Sequence, residues 1–174
     1  MQTKENPYKI GTTEELYGFA KLVNVDKIDT AGKYFALTAD IDINNVEAGT
    51  AAIWQAASRN AVEKAQAENG LIVTDASPAQ KRLFKTTLES AVDAKINRWI
   101  PVGNLGKDVA FKGIFDGQGF KISGAYVVAT WIDTTMANGV GLFGRLENAT
   151  VKNLEMHNSY VVAPIVHNVG SIAG

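Results

Sequence analysis

The chain has 174 residues, 46% hydrophobic and 20% charged, which is ordinary for one water-soluble domain with a core of its own. Its 17 basic and 18 acidic residues give a net charge of -1, which argues against a nucleic-acid partner because phosphate binding normally needs a basic excess. The absence of cysteine excludes disulfides, zinc thiolate sites and thiol catalysis, and no apolar run of about 18 residues predicts a membrane span.

An amphipathic helix is predicted near the N-terminus. Thr12 can cap it while Glu15 reaches back, and an acidic first turn suits the helix dipole. The apolar positions recur with helical spacing and predict one buried stripe: Leu16, Phe19, Ala20 and Val23.

A single β-strand is predicted from Tyr34 to Ile43, because apolar and polar residues alternate there. One side of this strand would carry Phe35, Leu37, Ala39, Ile41 and Ile43. The other side would carry Thr38, Asp40 and Asp42.

Residues 44–98 differ from their surroundings, being Ala-rich, Gly-poor and helical in period. One apolar stripe comprises Ile53, Trp54, Ala57, Ala61 and Ala65 and ends at Asn69-Gly70. A second helix begins at Ser77-Pro78 and would bury Phe84, Leu88, Ala91, Val92 and Ile96. We predict an inserted helical hairpin over 44–98.

Three Gly-led apolar blocks recur after the insertion, with spacings of 28 and then 29 residues: Gly113-Ile114-Phe115, Gly141-Leu142-Phe143 and Gly170-Ser171-Ile172. Ile122 and Val151 are likewise 29 apart. Such a period is typical of stacked units that bury their apolar faces against one another. Short strands separated by turns, such as the turn at Asp116-Gly117-Gln118-Gly119, predict a mainly β fold, a parallel β-helix. Phe115, Phe143 and Ile172 would then form one apolar column with steps of about 4.8 Å.

Blocks outside 44–98 follow one another in a recognisable order: Tyr8-Lys9-Ile10, Thr12 to Leu16, Phe35 to Ile43, Trp99 to Gly103, Phe111 to Gly119, Ile122 to Gly124, Val140 to Gly144, Ala149 to Leu154 and Val169 to Gly174. They resemble the N-terminal module and first repeats of bacterial surface proteins with GLUG repeats. The resemblance implies a right-handed β-helix capped by the first helix, a secreted or cell-surface location, and a role in adhesion or as the stalk of a larger exoprotein. It offers no common catalytic residues, and the insertion departs from its pattern.

Candidate sites are few. Asp40, Asp42, Asn44 and Asn45 place oxygen atoms at nearly alternate positions, as in a calcium loop, but the twelfth position is Ala51 where a bidentate Glu is needed. A solvated strand face is the favoured interpretation. The two histidines, His157 and His167, are predicted to be surface residues rather than metal ligands.

Tryptophan gives the one candidate ligand-binding residue. Trp99 begins a strand and is predicted to be core, and Trp54 lies on a helical stripe. Trp131 lies in a polar stretch, where an exposed aromatic ring marks a binding surface.

The sequence therefore predicts one β-helical module over 1–174, a fragment of a longer protein, with the helical insertion at 44–98. We expect a non-catalytic structural or adhesive segment without cofactor or metal, whose partners are adjacent repeats of the parent protein and a host or environmental glycan or protein. Two alternatives stay open. A carbohydrate-active β-helix enzyme would need carboxylates clustered in a groove, for which Asp40 and Asp42 are the candidates. A protein-binding module would use the insertion.

Overall fold

A computed structural model of the protein describes residues 3–46, 97–104, 108–128, 139–163 and 168–174. Within these ranges the chain is mainly strand, with one helix, as predicted. The elements in chain order are β1 (Tyr8–Ile10), α1 (Thr13–Asn24), β2 (Tyr34–Leu37), β3 (Ile41–Asp42), β4 (Ile114–Asp116), β5 (Lys121–Ser123), β6 (Tyr126–Val128), β7 (Thr150–Lys152), β8 (Glu155–His157) and β9 (Tyr160–Val162).

The strands form three parallel sheets. Sheet A has the order β1-β2-β4-β7, sheet B has β3-β5-β8, and sheet C pairs β6 with β9. A fourth parallel ladder of isolated bridges joins Val102 to Phe143 and Phe143 to Ala173. From β4 onward the chain passes through sheets A, B and C and the fourth ladder, and then repeats that order. We call one such passage a circuit.

The register between circuits corrects the predicted period. Phe115 pairs with Val151, 36 residues later, and Ile122 pairs with Met156, 34 residues later. Only the last two Gly-led blocks are equivalent, since Val140 pairs with Val169. The predicted equivalence of Gly113 with Gly141, and of Ile122 with Val151, is therefore wrong.

The predicted column of Phe115, Phe143 and Ile172 is wrong for the same reason. Phe115 lies between Phe35 and Val151 in sheet A, whereas Phe143 belongs to the fourth ladder. The two rings come from different sides of the circuit and meet inside it, edge to face, with centroids 5.4 Å apart.

The single strand predicted from Tyr34 to Ile43 is two strands in two sheets, β2 and β3. The chain turns between them. Leu37 and Ile41 are both buried on either side of this corner, so the apolar alternation continues through the bend and does not reveal it.

Helix α1 forms as its sequence predicts. Thr12 Oγ1 accepts a hydrogen bond from the Glu15 amide at 3.2 Å. Glu15 Oε2 in turn accepts from the Gly11 amide, at 2.7 Å, one residue before the cap. The predicted stripe of Leu16, Phe19, Ala20 and Val23 is buried.

Phe19 of α1 lies in the centre of an aromatic core. Its ring centroid is 4.8 Å from that of Phe35, 5.5 Å from those of Phe111 and Phe115, and 6.3 Å from that of Phe143. Hence the helix fills the interior that the first strands leave open. With 12 residues, it is too short to cross a membrane, and the described part of the chain contains no helix that could.

Candidate interaction surface at the open end of the sheets

The two ends of the stacked circuits are covered differently. At the β1 end, the apolar side chains of α1 are buried against the core. At the other end, a layer of apolar side chains that packs on the core remains only half-buried. We call this layer the tail face: Ala149, Val151, Leu154, Met156, Val161, Ala163 and Ile172. It is apolar surface that nothing in the described ranges covers.

The tail face is bordered by sheet edges. β7, β8 and β9 each stand last in the strand order of their sheets within the described ranges. An edge strand presents backbone groups that can pair with another strand, and charged side chains normally limit such pairing. Here the exposed edge residues include Lys152, Glu155 and His157.

These polar side chains have partners close by. His157 Nε2 lies 3.0 Å from Glu155 Oε2, two residues earlier on β8, and both side chains face solvent. Lys152 Nζ lies 3.0 Å from Asp116 Oδ2 on the neighbouring strand. Lys152 and Glu155 therefore present charged groups to an approaching strand, although an exposed pair such as His157–Glu155 adds little to stability.

Asp116 holds the corner between sheets A and B. Its slight desolvation raises the pKa of the carboxyl, but hydrogen bonds from the Asn153 side chain and the Gln118 amide, together with Lys152, lower the pKa further, so the net direction is down. The distances are 2.9 Å from Asn153 Nδ2 and 3.0 Å from the Gln118 amide. This carboxylate therefore anchors the predicted 116–119 turn, which the 2.8 Å bond from the Phe120 amide to the Gly117 carbonyl confirms.

The aspartates considered as calcium ligands accept hydrogen bonds from backbone amides. Asp40 Oδ1 accepts from the Lys121 amide at 3.0 Å, and Asp42 Oδ1 accepts from the Val46 amide at 2.9 Å. In the ranges that the structure describes, no three His, Asp or Glu side chains are grouped so as to hold a metal ion.

The structure describes one of the three tryptophans. Trp99 is fully buried, as predicted, and its Nε1 donates to the Leu142 carbonyl at 3.0 Å. Trp54 and Trp131 lie outside the described residues, as does His167. Trp131 as the ligand-binding residue therefore stays a prediction.

The predicted hairpin also lies outside the described residues, except for 44–46 and 97–98 at its ends. Asn44 joins these ends: its Nδ2 donates to the Asn97 carbonyl at 2.9 Å, and its Oδ1 accepts from the Asn97 amide at 2.7 Å. Nδ2 also donates to the Gly124 carbonyl at 2.8 Å. Asn44 and Asn97, on the two sides of the segment 47–96, therefore lie together beside Gly124.

Replacing residues 47–96 with a short Gly/Ser loop is expected to leave the β-rich far-UV circular dichroism and the cooperative thermal transition in place, because the Asn44 contacts close the ends. The same replacement combined with Asn44→Ala is the matched variant, and we expect it to melt at a lower temperature. Loss of folding in the first variant would show instead that the insertion completes the core.

Sequence reasoning missed Asn24, the last residue of α1, because the predicted stripe ended at Val23. The side chain is 4% exposed, donates from Nδ2 to the Pro101 carbonyl at 3.0 Å, and accepts at Oδ1 from the amides of Gly103 (2.8 Å) and Asn104 (3.1 Å). A signal was present, because position 24 lies four residues after Ala20 and so continues the apolar stripe. A polar residue on a buried helix face indicates specific hydrogen-bond partners.

No family model matches the chain, and no curated protein or solved structure matches it either. The resemblance to GLUG-repeat proteins thus rests on the residue blocks alone, and function has to be argued from the geometry.

Proposed function

We propose that the chain is a non-catalytic structural or adhesive segment of a secreted or cell-surface bacterial protein, built as a right-handed parallel β-helix. One observation carries this proposal: successive circuits visit sheets A, B and C and the fourth ladder in the same order, with every pairing parallel. Right-handedness is the general rule for crossovers between parallel strands.

This construction suits a spacer. Equivalent residues of successive circuits stack in columns, such as Ile41, Ile122 and Met156 in sheet B. The rings of Tyr126 and Tyr160 stack with centroids 5.9 Å apart and planes 10° apart. Each added circuit lengthens such a stack by about 4.8 Å, so repetition produces a rod that can hold other parts of a protein away from a surface.

The chemistry of the described acids also favours a structural role. Asp40, Asp42 and Asp116 each accept hydrogen bonds from the backbone that they hold in place. A glycosidase needs two carboxyl groups facing each other across a substrate groove. As partners we propose adjacent repeats of the parent protein and a host or environmental glycan or protein.

A second candidate function, specific protein binding through the insertion, is favoured by the Asn44 contacts. A segment whose two ends meet at one point can be presented to a partner without disturbing the strands beside it.

A glycan array combined with an assay for polysaccharide cleavage tests the proposal. We expect glycan binding by the 174-residue chain, retention of binding when 47–96 is replaced by a short loop, loss of binding in Trp131→Ala, and no new reducing ends or unsaturated products. Cleavage of any polysaccharide would contradict a non-catalytic role. Loss of binding with the insertion alone would favour the second candidate.

A further inference from the structure

We propose that the 174-residue chain pairs in solution with a second copy of itself through the tail face, with β8 of the two copies antiparallel and Met156 opposite the partner's Met156. This inference goes beyond the structural role proposed above, which stands if the pairing fails.

At the opposite end of the sheets, α1 covers backbone in three of the four ladders. Thr13 Oγ1 lies 3.4 Å from the Asp42 carbonyl, Tyr17 Oη lies 3.4 Å from the Arg98 carbonyl, and Asn24 Nδ2 lies 3.0 Å from the Pro101 carbonyl. The helix thus covers backbone at this end of sheet B, sheet C and the fourth ladder, whereas β1, which stands first in sheet A, is outside these contacts. This end therefore offers a tail fewer strand edges than a second tail does. A contact between two identical faces closes at two copies.

The apolar layer favours this contact. Val151, Met156 and Val161 are half-buried at the centres of β7, β8 and β9. Two tail faces brought together would give each layer the cover that α1 gives to the other end, and burial of apolar surface is the main driving force of association.

The order of the polar residues on β8 selects the register. A two-fold axis makes the paired strands antiparallel, and centring the pair on Met156 places Glu155 opposite the partner's His157, twice per dimer. Both side chains are exposed and lie 3.0 Å apart within one strand, so they can exchange this contact for the cross-strand one. The Glu155 carboxylate and the His157 ring already form a hydrogen bond within one strand and can form it across the antiparallel pair, whereas like charges facing each other there are unfavourable.

Sedimentation velocity over a concentration series, in one buffer, tests the pairing. We expect a monomer–dimer equilibrium for the unsubstituted chain. Glu155→Lys and His157→Glu should each raise the Kd about tenfold, since each change disrupts two symmetric pairs. The double variant Glu155→Lys/His157→Glu again places complementary side chains opposite each other and should return to within about threefold of the Kd of the unsubstituted chain. Lys9→Glu, an exposed charge reversal on β1 at the covered end, is the matched control and should leave Kd unchanged.

Far-UV circular dichroism establishes that each variant is folded. If a reversal variant does not fold, Glu155→Gln and His157→Gln test the same contacts, with smaller rises in Kd expected. If the unsubstituted 174-residue chain is monomeric at every concentration, the proposal is overturned. An adjacent repeat of the longer protein is then left as the occupant of the tail face. A dimer that the double variant weakens as much as the single variants would also overturn it, because the β8 register would then be wrong.

Discussion

Phe143→Ala is expected to lower the free energy of unfolding by about 3 to 5 kcal/mol. The side chain is fully buried, and its ring centroid lies 5.4 Å from those of Phe111 and Phe115 and 6.3 Å from that of Phe19. Truncation would leave a cavity between α1, sheet A and the fourth ladder. These elements also make backbone hydrogen bonds, so they cannot collapse freely to fill the space.

Urea denaturation with a linear fit measures this loss. Phe143→Leu, which keeps most of the volume, is the matched control and should lose less. Phe120→Ala removes a ring that is only half-buried and should also cost less. A melting temperature for Phe143→Ala within about a degree or two of the parent would contradict the placement of Phe143 at the centre of the core.

Asn24→Leu is expected to lower the free energy of unfolding by about 3 kcal/mol or more. The substitution removes the partners of three backbone groups, the Pro101 carbonyl and the amides of Gly103 and Asn104. Each buried group left without a partner costs about 1 to 3 kcal/mol. The added apolar volume does not offset this, since leucine can neither donate nor accept.

The matched control is Leu22→Ala on the same helix, at a position 40% exposed, where a loss of about 1 kcal/mol or less is expected. Hydrogen exchange distinguishes the loss of these hydrogen bonds from a mere change in side-chain volume. The Gly103 and Asn104 amides should exchange faster in Asn24→Leu than in Leu22→Ala. Equal protection of those amides in both variants would show that Asn24 does not hold the 101–104 segment.

Local signals in the sequence determined what could be predicted. The cap and stripe of α1 lie within a dozen residues, so Thr12, Glu15 and Phe19 could be assigned from spacing alone. The inward positions of β2 and β3 could also be assigned. The corner between these strands could not, because the alternation from Leu37 to Ile41 continues through it.

The pairing of residues between successive circuits could not be predicted from the glycine blocks. Glycine recurs on different sides of a circuit because each of these positions lies close to the backbone of a neighbouring circuit. A Cβ on Gly113 would meet the Lys33 carbonyl at 2.8 Å, and one on Gly141 would meet the Gly170 carbonyl at 2.7 Å. Both positions are close approaches between circuits, which only glycine permits. Their similar blocks, 28 residues apart, therefore imitate a repeat, and the true partners can be found only from pairing across 34 to 36 residues.

The extent of the candidate surface could not be predicted from the sequence. Its half-buried apolar residues come from β7, β8 and β9 as well as from Ile172. Whether a given alternating strand is covered by a neighbour depends on its place in the stack, which the local pattern does not show.

Disulfide trapping of the β5–β8 register tests the stacked circuits most directly. The chain has no cysteine, so an introduced pair has no native thiol to compete with it, and dilution disfavours disulfides between molecules. Lys121 and Glu155 are direct partners on adjacent parallel strands, about 4.8 Å apart, which is within disulfide reach. Thr150 instead pairs with Ile114 in sheet A, although the 28- to 29-residue period would set it beside Lys121.

Under mild oxidation of dilute monomer, we predict that Lys121→Cys/Glu155→Cys forms the bond with its fold intact and that Lys121→Cys/Thr150→Cys does not. Efficient bonding in the Thr150 pair, with none in the Glu155 pair, would contradict the stacking of circuits described above.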